Sequence, residues 1–519
     1  MQPTSFAPTF KLPVVRAGAS VLSGVLLTLC FPRFNLHFLV WVAVVPLLFS
    51  VLGETRLLRA YFHGALAGLI FLALSLYWFV NVMVGYGNMT FSLAVLAMAA
   101  FLLVFSSFYG VFALLVAWVS RRSLGHGLAL APFLWTALEL ARTYYFVNGF
   151  PWNLLGYAIK PEGLRQIASV TAVYGLSFLA VATSALLVWF ILDSRARSHR
   201  YALALWLVLL FAANRLLVPP RMPPAQQVAV LLEPNVPLDD AALAAWAPWR
   251  DPANLENLVR LSLAALPALP PVKAGPPLII WPENSAPFFY NRDPVFRSAI
   301  QGMARQAHGV AIVGAVNFDG PGESVPLESA DVVDSAGSQI FRYDKIHLVP
   351  FGEYTPSWLK GIAGKITSQV GDFVPGRNYG VLRFNHDEIG VFICYESIFP
   401  QLVRRLTPPG TSVLVNISDD AWYGDSSARF QHLEMVEMRA IENHRYILRA
   451  TNDGITVVID PYGRITQRLP QHQRVALTGR FSYISGRTFY NVHGDVLAWL
   501  CVAATGLMVA ASLFKIQRG

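Results

Sequence analysis

Charge is what this 519-residue sequence lacks first. Only 14% of its residues are Asp, Glu, Lys or Arg, where a soluble globular protein carries about a quarter. Between Ala60 and Ser120 there is none at all. A stretch of that length without a charge excludes a wholly water-soluble fold. By contrast, residues 221–487 have the mixed composition of a soluble enzyme. Part of the chain is therefore expected in lipid and part in water.

Cysteine is nearly as scarce. Of Cys30, Cys394 and Cys501, the first and last fall in apolar runs, leaving Cys394 alone in the soluble part. That excludes a disulfide framework there, and the absence of CxxC or Cys/His ligand spacing excludes a zinc site of the usual kinds. The 11 histidines show no HxxxH spacing. His63, His126, His347, His432 and His444 read as ordinary interfacial or surface residues. The sequence also lacks a basic stripe interleaved with aromatics, so its net charge of +9 implies no nucleic-acid partner. The surplus lies instead in short connectors between apolar runs.

Those runs are what the sequence has in abundance. A membrane span needs about 20 mostly apolar residues. Eight segments qualify as expected spans: 17–32, 36–53, 60–82, 91–119, 127–146, 168–192, 201–218 and 496–514. Basic residues mark alternate connectors: Lys11 and Arg16, Arg56 and Arg59, Arg121 and Arg122, then Arg195, Arg197 and Arg200, with Lys515 and Arg518 at the end. The positive-inside rule then puts both termini in the cytoplasm and the long segment before the last span on the outer face. The connector Phe150-Pro151-Trp152-Asn153-Leu154-Leu155-Gly156-Tyr157 reads either as an interfacial aromatic belt or as a re-entrant segment, with Glu139 and Arg142 beside it. The expected domains are 1–218 with seven spans, 219–490 as the water-exposed domain, and 491–519 as the last span and tail.

Beyond Pro219, Pro220, Pro223 and Pro224, short apolar strands alternate with helix-like stretches, which predicts a layered α/β domain. Expected strands include Leu278–Trp281, Val310–Val316, Ala330–Asp334, Ile389–Cys394 and Ser412–Ile417. Expected helices are Pro252–Ala265, Pro294–Ala307, Ser397–Leu406 and Arg429–Arg449. Chemistry gathers where strands end. Ile279-Ile280-Trp281-Pro282-Glu283 runs a buried strand into a carboxylate, and Val391-Phe392-Ile393-Cys394-Tyr395-Glu396 delivers a thiol. Between them, Tyr343-Asp344-Lys345-Ile346-His347-Leu348-Val349-Pro350-Phe351-Gly352-Glu353 sets a lysine and a glutamate in a Pro/Gly-rich loop. Each motif alone has a plain structural explanation.

Taken together and in that order, the three motifs resemble the nitrilase superfamily of carbon–nitrogen hydrolases. With seven spans before the domain and one after, the whole chain is similar to the apolipoprotein N-acyltransferases, a membrane branch of that superfamily. The resemblance extends to Phe150-Pro151-Trp152, to Ser418-Asp419-Asp420-Ala421-Trp422-Tyr423-Gly424, to Met438-Arg439-Ala440 and to Thr451-Asn452-Asp453-Gly454. It implies an α-β-β-α sandwich, with Cys394 as nucleophile, Glu283 as base and Lys345 holding the charge on the attacked oxygen. Glu353, Tyr395, Glu396, Asn317, Trp422 and Arg439 would support the site or bind substrate. It further implies a phospholipid acyl donor and a diacylated apolipoprotein acceptor. The chain would act as a monomer in the bacterial inner membrane with a periplasmic catalytic domain, and no metal or organic cofactor is implied. The chain departs from the family pattern at Leu232-Glu233-Pro234-Asn235 and at Asp419, and both Trp246 and Trp249 are candidates for an aromatic expected after the first strand. Two other readings compete: a membrane-tethered amidase with water as acceptor, and a transporter or lipid-binding scaffold with a degenerate enzyme domain. The second predicts a damaged Glu–Lys–Cys set, whereas all three positions are filled.

Overall fold

In the computed structural model of the chain, residues 12–85, 89–145, 148–236, 252–267, 275–283, 289–320, 324–350, 352–354, 373–384 and 386–514 are described. Trp246 and Trp249 lie outside them. The chain divides into two compact units. One comprises Met1–Asn81, Thr90–Pro219 and Val492–Gly519, and the other Val82–Met89 and Pro220–Asn491.

The first unit is helical. Among the described residues, five helices are long and apolar enough to cross a bilayer: Leu57–Ser75, Phe91–Ser120, Leu124–Tyr144, Ala168–Leu192 and Val496–Leu513. Eight spans were expected, and the difference has local causes. The apolar runs at 17–32 and 36–53 form the shorter Pro13–Leu29 and His37–Val51, the latter opening as a 3-10 turn. The run at 201–218 belongs to Arg197–Leu216, whose first turn carries Arg197, His199 and Arg200. The aromatic connector is folded inward, since Trp152, Leu154, Leu155 and Tyr157 are all buried. Glu139 Oε1 accepts from Trp135 Nε1 and from the Leu155 N–H, both at 2.9 Å, while Arg142 Nη2 donates to the Trp152 carbonyl at 3.1 Å. The acid and the base thus satisfy the polar backbone that a turn inside an apolar bundle would otherwise leave bare.

The second unit contains two six-stranded sheets. The first is formed by β1 (Gln227–Glu233), β2 (Leu278–Trp281), β3 (Val310–Asp319), β4 (Val325–Val333), β5 (Gln339–Asp344) and β12 (Val475–Phe481), in the order β12-β1-β2-β3-β4-β5. The second is formed by β6 (Leu382–Phe384), β7 (Asp387–Ile393), β8 (Thr411–Asp419), β9 (Ile447–Asn452), β10 (Val457–Ile459) and β11 (Ile465–Arg468), in the order β11-β10-β9-β8-β7-β6. Each sheet has three parallel strands at its centre, β1-β2-β3 and β7-β8-β9, with antiparallel neighbours outside. The sheets face each other through β1 and β2 against β9, and β4 against β7. Leu278, Ile279, Ile280 and Trp281 are each 0% exposed, which is why this strand reads as an unbroken apolar run.

Helices close the outer faces, making the α-β-β-α sandwich. Pro294–Ala307 starts where its sequence says it should: the Asp293 carboxylate caps the N–H groups of Val295 and Phe296, and Pro294 needs no donor at the first position. It buries Phe296, Ile300, Met303 and Ala304 against the first sheet, the spacing of one helical face. On the other side, Ala428–Asn443 is buried along almost its whole length. The expected helix Arg429–Arg449 stops earlier. His444 takes a left-handed conformation at φ 51° that ends it, and Ile447–Asn452 becomes the fully buried strand β9.

Candidate active site

Glu283 and Cys394 stand where the central strands β2 and β7 end, as expected when layered α/β sheets gather ligands at strand termini, and Lys345 follows the edge strand β5. β2 stops at Trp281 because Pro282 cannot donate to the ladder, and Glu283 follows. Gly314 on β3 makes room for this turn, because a Cβ there would lie 2.4 Å from the Pro282 carbonyl oxygen and 2.7 Å from Glu283 Cα. One Glu283 oxygen meets Lys345 Nζ at 2.7 Å, and the other accepts the Asp419 N–H at 2.7 Å from the end of β8. Lys345, immediately after β5, also donates to Glu328 at 2.8 Å and to Glu353 at 2.6 Å. Its side chain is 0% exposed.

Cys394 follows β7 with φ at 46°, a left-handed backbone that costs a non-glycine residue about 1–3 kcal/mol and needs support from its surroundings. Glu396 supplies part of it. Its Oε2 accepts the Ile393 N–H at 2.8 Å, and its Oε1 accepts the Tyr343 hydroxyl at 2.8 Å and the N–H groups of Ile346 and His347 at 2.7 and 3.1 Å. This one carboxylate ties the turn bearing Cys394 to the loop bearing Lys345. A second brace runs through His432, which is wholly buried and is not the surface residue its sequence context suggests. As a neutral imidazole, its Nδ1 donates to Asp420 at 3.0 Å and its Nε2 accepts the Ser397 hydroxyl at 2.6 Å, with the Cys394 carbonyl oxygen 3.2 Å from the same nitrogen. Arg449 Nη2 completes the chain by donating to Asp420 at 2.5 Å. The order Ser–His–Asp is that of a hydrolase triad, but Ser397 is 0% exposed. The array holds the Cys394 turn and offers no nucleophile to substrate.

Electrostatics distinguish the groups further. Burial pushes the Cys394 thiol well above its ordinary value, and Glu283 pushes in the same direction while Lys345 opposes both. The thiol is therefore protonated near neutral pH. Burial would lower Lys345, but Glu283, Glu328 and Glu353 overcome it and hold the ammonium charged. Glu283 is raised well above a normal carboxylate by burial first and then by Glu328, against Lys345. Burial likewise pushes Glu353 up to about 8, opposed by Lys345. Glu283, Glu328 and Glu353 have the composition of a divalent-metal site, with ligand atoms within 4.8 Å of one another. Here the Lys345 ammonium occupies the point between them, within 2.8 Å of all three.

The structure thus brings Glu283, Lys345 and Glu353 into one network, ties the Cys394 turn to the Lys345 loop through Glu396, and couples the Cys394 thiol electrostatically to Glu283 and Lys345. Tyr395 follows the thiol and packs edge-on against Phe399, 5.3 Å between ring centres. Trp422 lies in the 3-10 turn Asp420–Tyr423 after β8 and is 38% exposed. Asn317 is engaged away from these groups, whereas Arg439 reaches the end of the Cys394–Ile398 turn. Asn317 donates to Asp331 at 2.7 Å, and Arg439, fully buried, pairs with Glu442 at 2.8 Å and donates to the Ile398 carbonyl. Sequence reasoning missed Glu328, Asp420, His432 and Arg449. Glu328 left one signal, a charged residue in a strand whose neighbours Leu327, Ser329 and Ala330 are buried.

Known proteins resemble this chain along almost its whole length. A family model described as the apolipoprotein N-acyltransferase N-terminal domain matches residues 23–186, and one described as carbon-nitrogen hydrolase matches residues 240–480. An apolipoprotein N-acyltransferase from Geobacter metallireducens is 38% identical over 514 residues, covering 96% of this chain and 95% of its own length. One from Methylococcus capsulatus is 32% identical over 505 residues, covering 95% of each. Among solved structures, an amidase from Nesterenkonia sp. is 20% identical, covers 50% of this chain and 93% of its own, and has a TM-score of 0.37.

Proposed function

The chain belongs to the apolipoprotein N-acyltransferase family, and from that premise we propose that Cys394 carries a fatty acyl group from a membrane phospholipid to an apolipoprotein. The observation that carries the reading is the Lys345 ammonium, held 2.7 Å from Glu283 and 2.6 Å from Glu353 and electrostatically coupled to the Cys394 thiol. Because burial keeps that thiol protonated, attack needs a base, and Glu283 is the carboxylate electrostatically coupled most strongly to it. As the sulfur attacks the phospholipid ester carbon, Glu283 takes the thiol proton and Lys345 stabilises the negative oxygen. The carbon–oxygen bond then breaks, Glu283 returns the proton to the leaving oxygen, and a lysophospholipid departs from the thioester.

In the second half, the α-amine of a diacylglyceryl-modified N-terminal cysteine attacks the thioester. Glu283 removes a proton from the nitrogen and delivers it to the departing sulfur, leaving an amide on the acceptor and restoring the thiol. This would be the last step of bacterial lipoprotein maturation. Splitting one difficult transfer into two easier ones is the benefit of covalent catalysis. In this reading residues 219–490 form the catalytic domain, 1–218 and 491–519 the membrane domain, and one chain suffices because it supplies every group used. Glu353, Glu396 and Tyr395 position the reacting groups, and Trp422 contributes exposed aromatic surface to substrate. The alternation of basic connectors favours a catalytic domain on the outer, periplasmic face.

Such a mechanism predicts parallel double-reciprocal lines when phospholipid and a diacylated lipopeptide are varied against each other, whereas intersecting lines would mean direct transfer without a thioester. In sealed right-side-out vesicles, lipopeptide added outside is expected to be acylated. Acylation only after the vesicles are opened would put the site on the inner face.

A further inference from the structure

The two-step reaction leaves one member of the charged cluster without a task. Glu328, on β4, is 4% exposed, and its carboxylate lies 2.8 Å from Lys345 Nζ. The Lys345 N–H also donates to the Glu328 carbonyl at 2.8 Å, so backbone and side chain both fix Glu328 to this lysine. A single ammonium faces three buried carboxylates, and an uncompensated charge in such a place is driven to take up a proton. At least one proton is therefore retained among Glu283, Glu328 and Glu353, and its location decides whether Glu283 is free to act as a base.

We propose that Glu328 governs when Glu283 can accept the Cys394 proton, by claiming Lys345 and leaving a retained proton on Glu283. The inference rests on the reading of Glu283 as the base. Burial would raise Glu328 too, yet Lys345 and a hydrogen bond shared with Glu283 bring it below its ordinary value. Glu283 moves the other way, by burial and then by the Glu328 charge. The other ionisable groups facing Glu283 are Lys345, Glu353, Cys394 and Tyr423. Asp419 faces Glu328. Glu353 also bonds this ammonium, but burial pushes it up to about 8, whereas Glu328 is held below its ordinary value and acts on Glu283 more strongly. It is a positioning residue, acting on substrate only through Glu283 and Lys345.

The sign of the effect follows. Glu283 works only when ionised, so acylation rises with pH as it loses its proton. Removing the neighbouring negative charge lets that happen at lower pH. Glu328→Gln keeps the shape, accepting from Lys345 through its carbonyl and donating to Glu283 through its amide. Single-turnover thioester formation from phospholipid, followed from pH 5 to 9 on the full chain in detergent, is expected to show the acid limb moved toward lower pH by about one unit or more. Glu328→Asp keeps the charge and is expected to keep the wild-type limb. A Gln variant slowed equally at every pH, with no shift, would overturn the proposal and leave Glu328 a structural residue. So would an Asp variant whose limb moves as far as that of Gln. If the wild type forms no thioester, the acyl-transfer reading itself fails. If Glu283→Gln acylates at the wild-type rate, the base assignment fails, and the two failures are told apart in one assay.

Discussion

Lys345→Met is expected to slow thioester formation at least about 1000-fold. Loss of one fixed oxyanion donor in a dry site already removes about 3–4 kcal/mol of transition-state stabilisation. Here the loss compounds. Lys345 is the cation that Glu283, Glu328 and Glu353 all bond, at 2.7, 2.8 and 2.6 Å. Without it the three carboxylates face one another in a buried site and take up protons, so Glu283 is neutral just when a base is needed. The variant should therefore be slow and should recover less at neutral pH than at alkaline pH. Lys345→Arg is not expected to rescue it, since a planar guanidinium cannot replace a compact ammonium enclosed on three sides. The measurement is the rate of acyl-enzyme formation by rapid quench and intact mass, with wild type and both variants at matched folding.

Arg449→Met is expected to destabilise the catalytic unit by about 3–5 kcal/mol, the cost of leaving a buried charge without its partner. Arg449 and Asp420 are each 0% exposed, and the guanidinium also donates to Asn416. Burial alone would raise Asp420. Arg449 and then His432 overcome it and hold the carboxylate far below the ordinary range. Such a depressed acid contributes stability above its unfolded value of about 3.9, and that contribution is lost as pH falls through the folded value. The wild type should therefore hold its advantage across neutral and mildly acidic pH. The variant should melt on the order of 10 °C lower, and Arg449→Met with Asp420→Asn should recover part of the difference. A variant melting within 1 °C or so of wild type would mean that Asp420 has another partner. Because the Asp420–His432–Ser397 chain reaches the Cys394 turn, acylation should fall along with stability.

The contrast between what the sequence reveals and what it conceals follows burial. Glu283, Lys345 and Cys394 stood out only as an ordered set of motifs resembling the carbon–nitrogen hydrolases; what the apolar runs alone made legible is that Glu283 and Cys394 follow the ends of buried strands. The central strands were legible for the same reason, being covered on both faces. Edge strands were not: Ile465–Arg468 is mostly exposed and Val475–Phe481 only half-buried, so neither carries a strong apolar pattern. The strand Ile447–Asn452 was hidden inside an apparent helix because nothing in composition marks the left-handed break at His444. The number of spans is hard to read for a related reason. Apolar length marks a buried or lipid-facing segment, but not whether a turn interrupts it, as at His37–Trp41. Glu328, His432 and Arg449 escaped because a charged or polar residue in sequence is read as exposed until its partners are known. Each of the three is buried only because a partner from a distant segment meets it.

The central claim is a covalent acyl group on Cys394, and intact-protein mass spectrometry tests it most directly. Purified wild type incubated with phospholipid in detergent is expected to gain the mass of one fatty acyl group. Cys394→Ala should gain none, and a diacylated lipopeptide should discharge the adduct faster than water does. A folded, lipid-bound wild type that stays at its unmodified mass, or an adduct that survives in Cys394→Ala, would contradict the account.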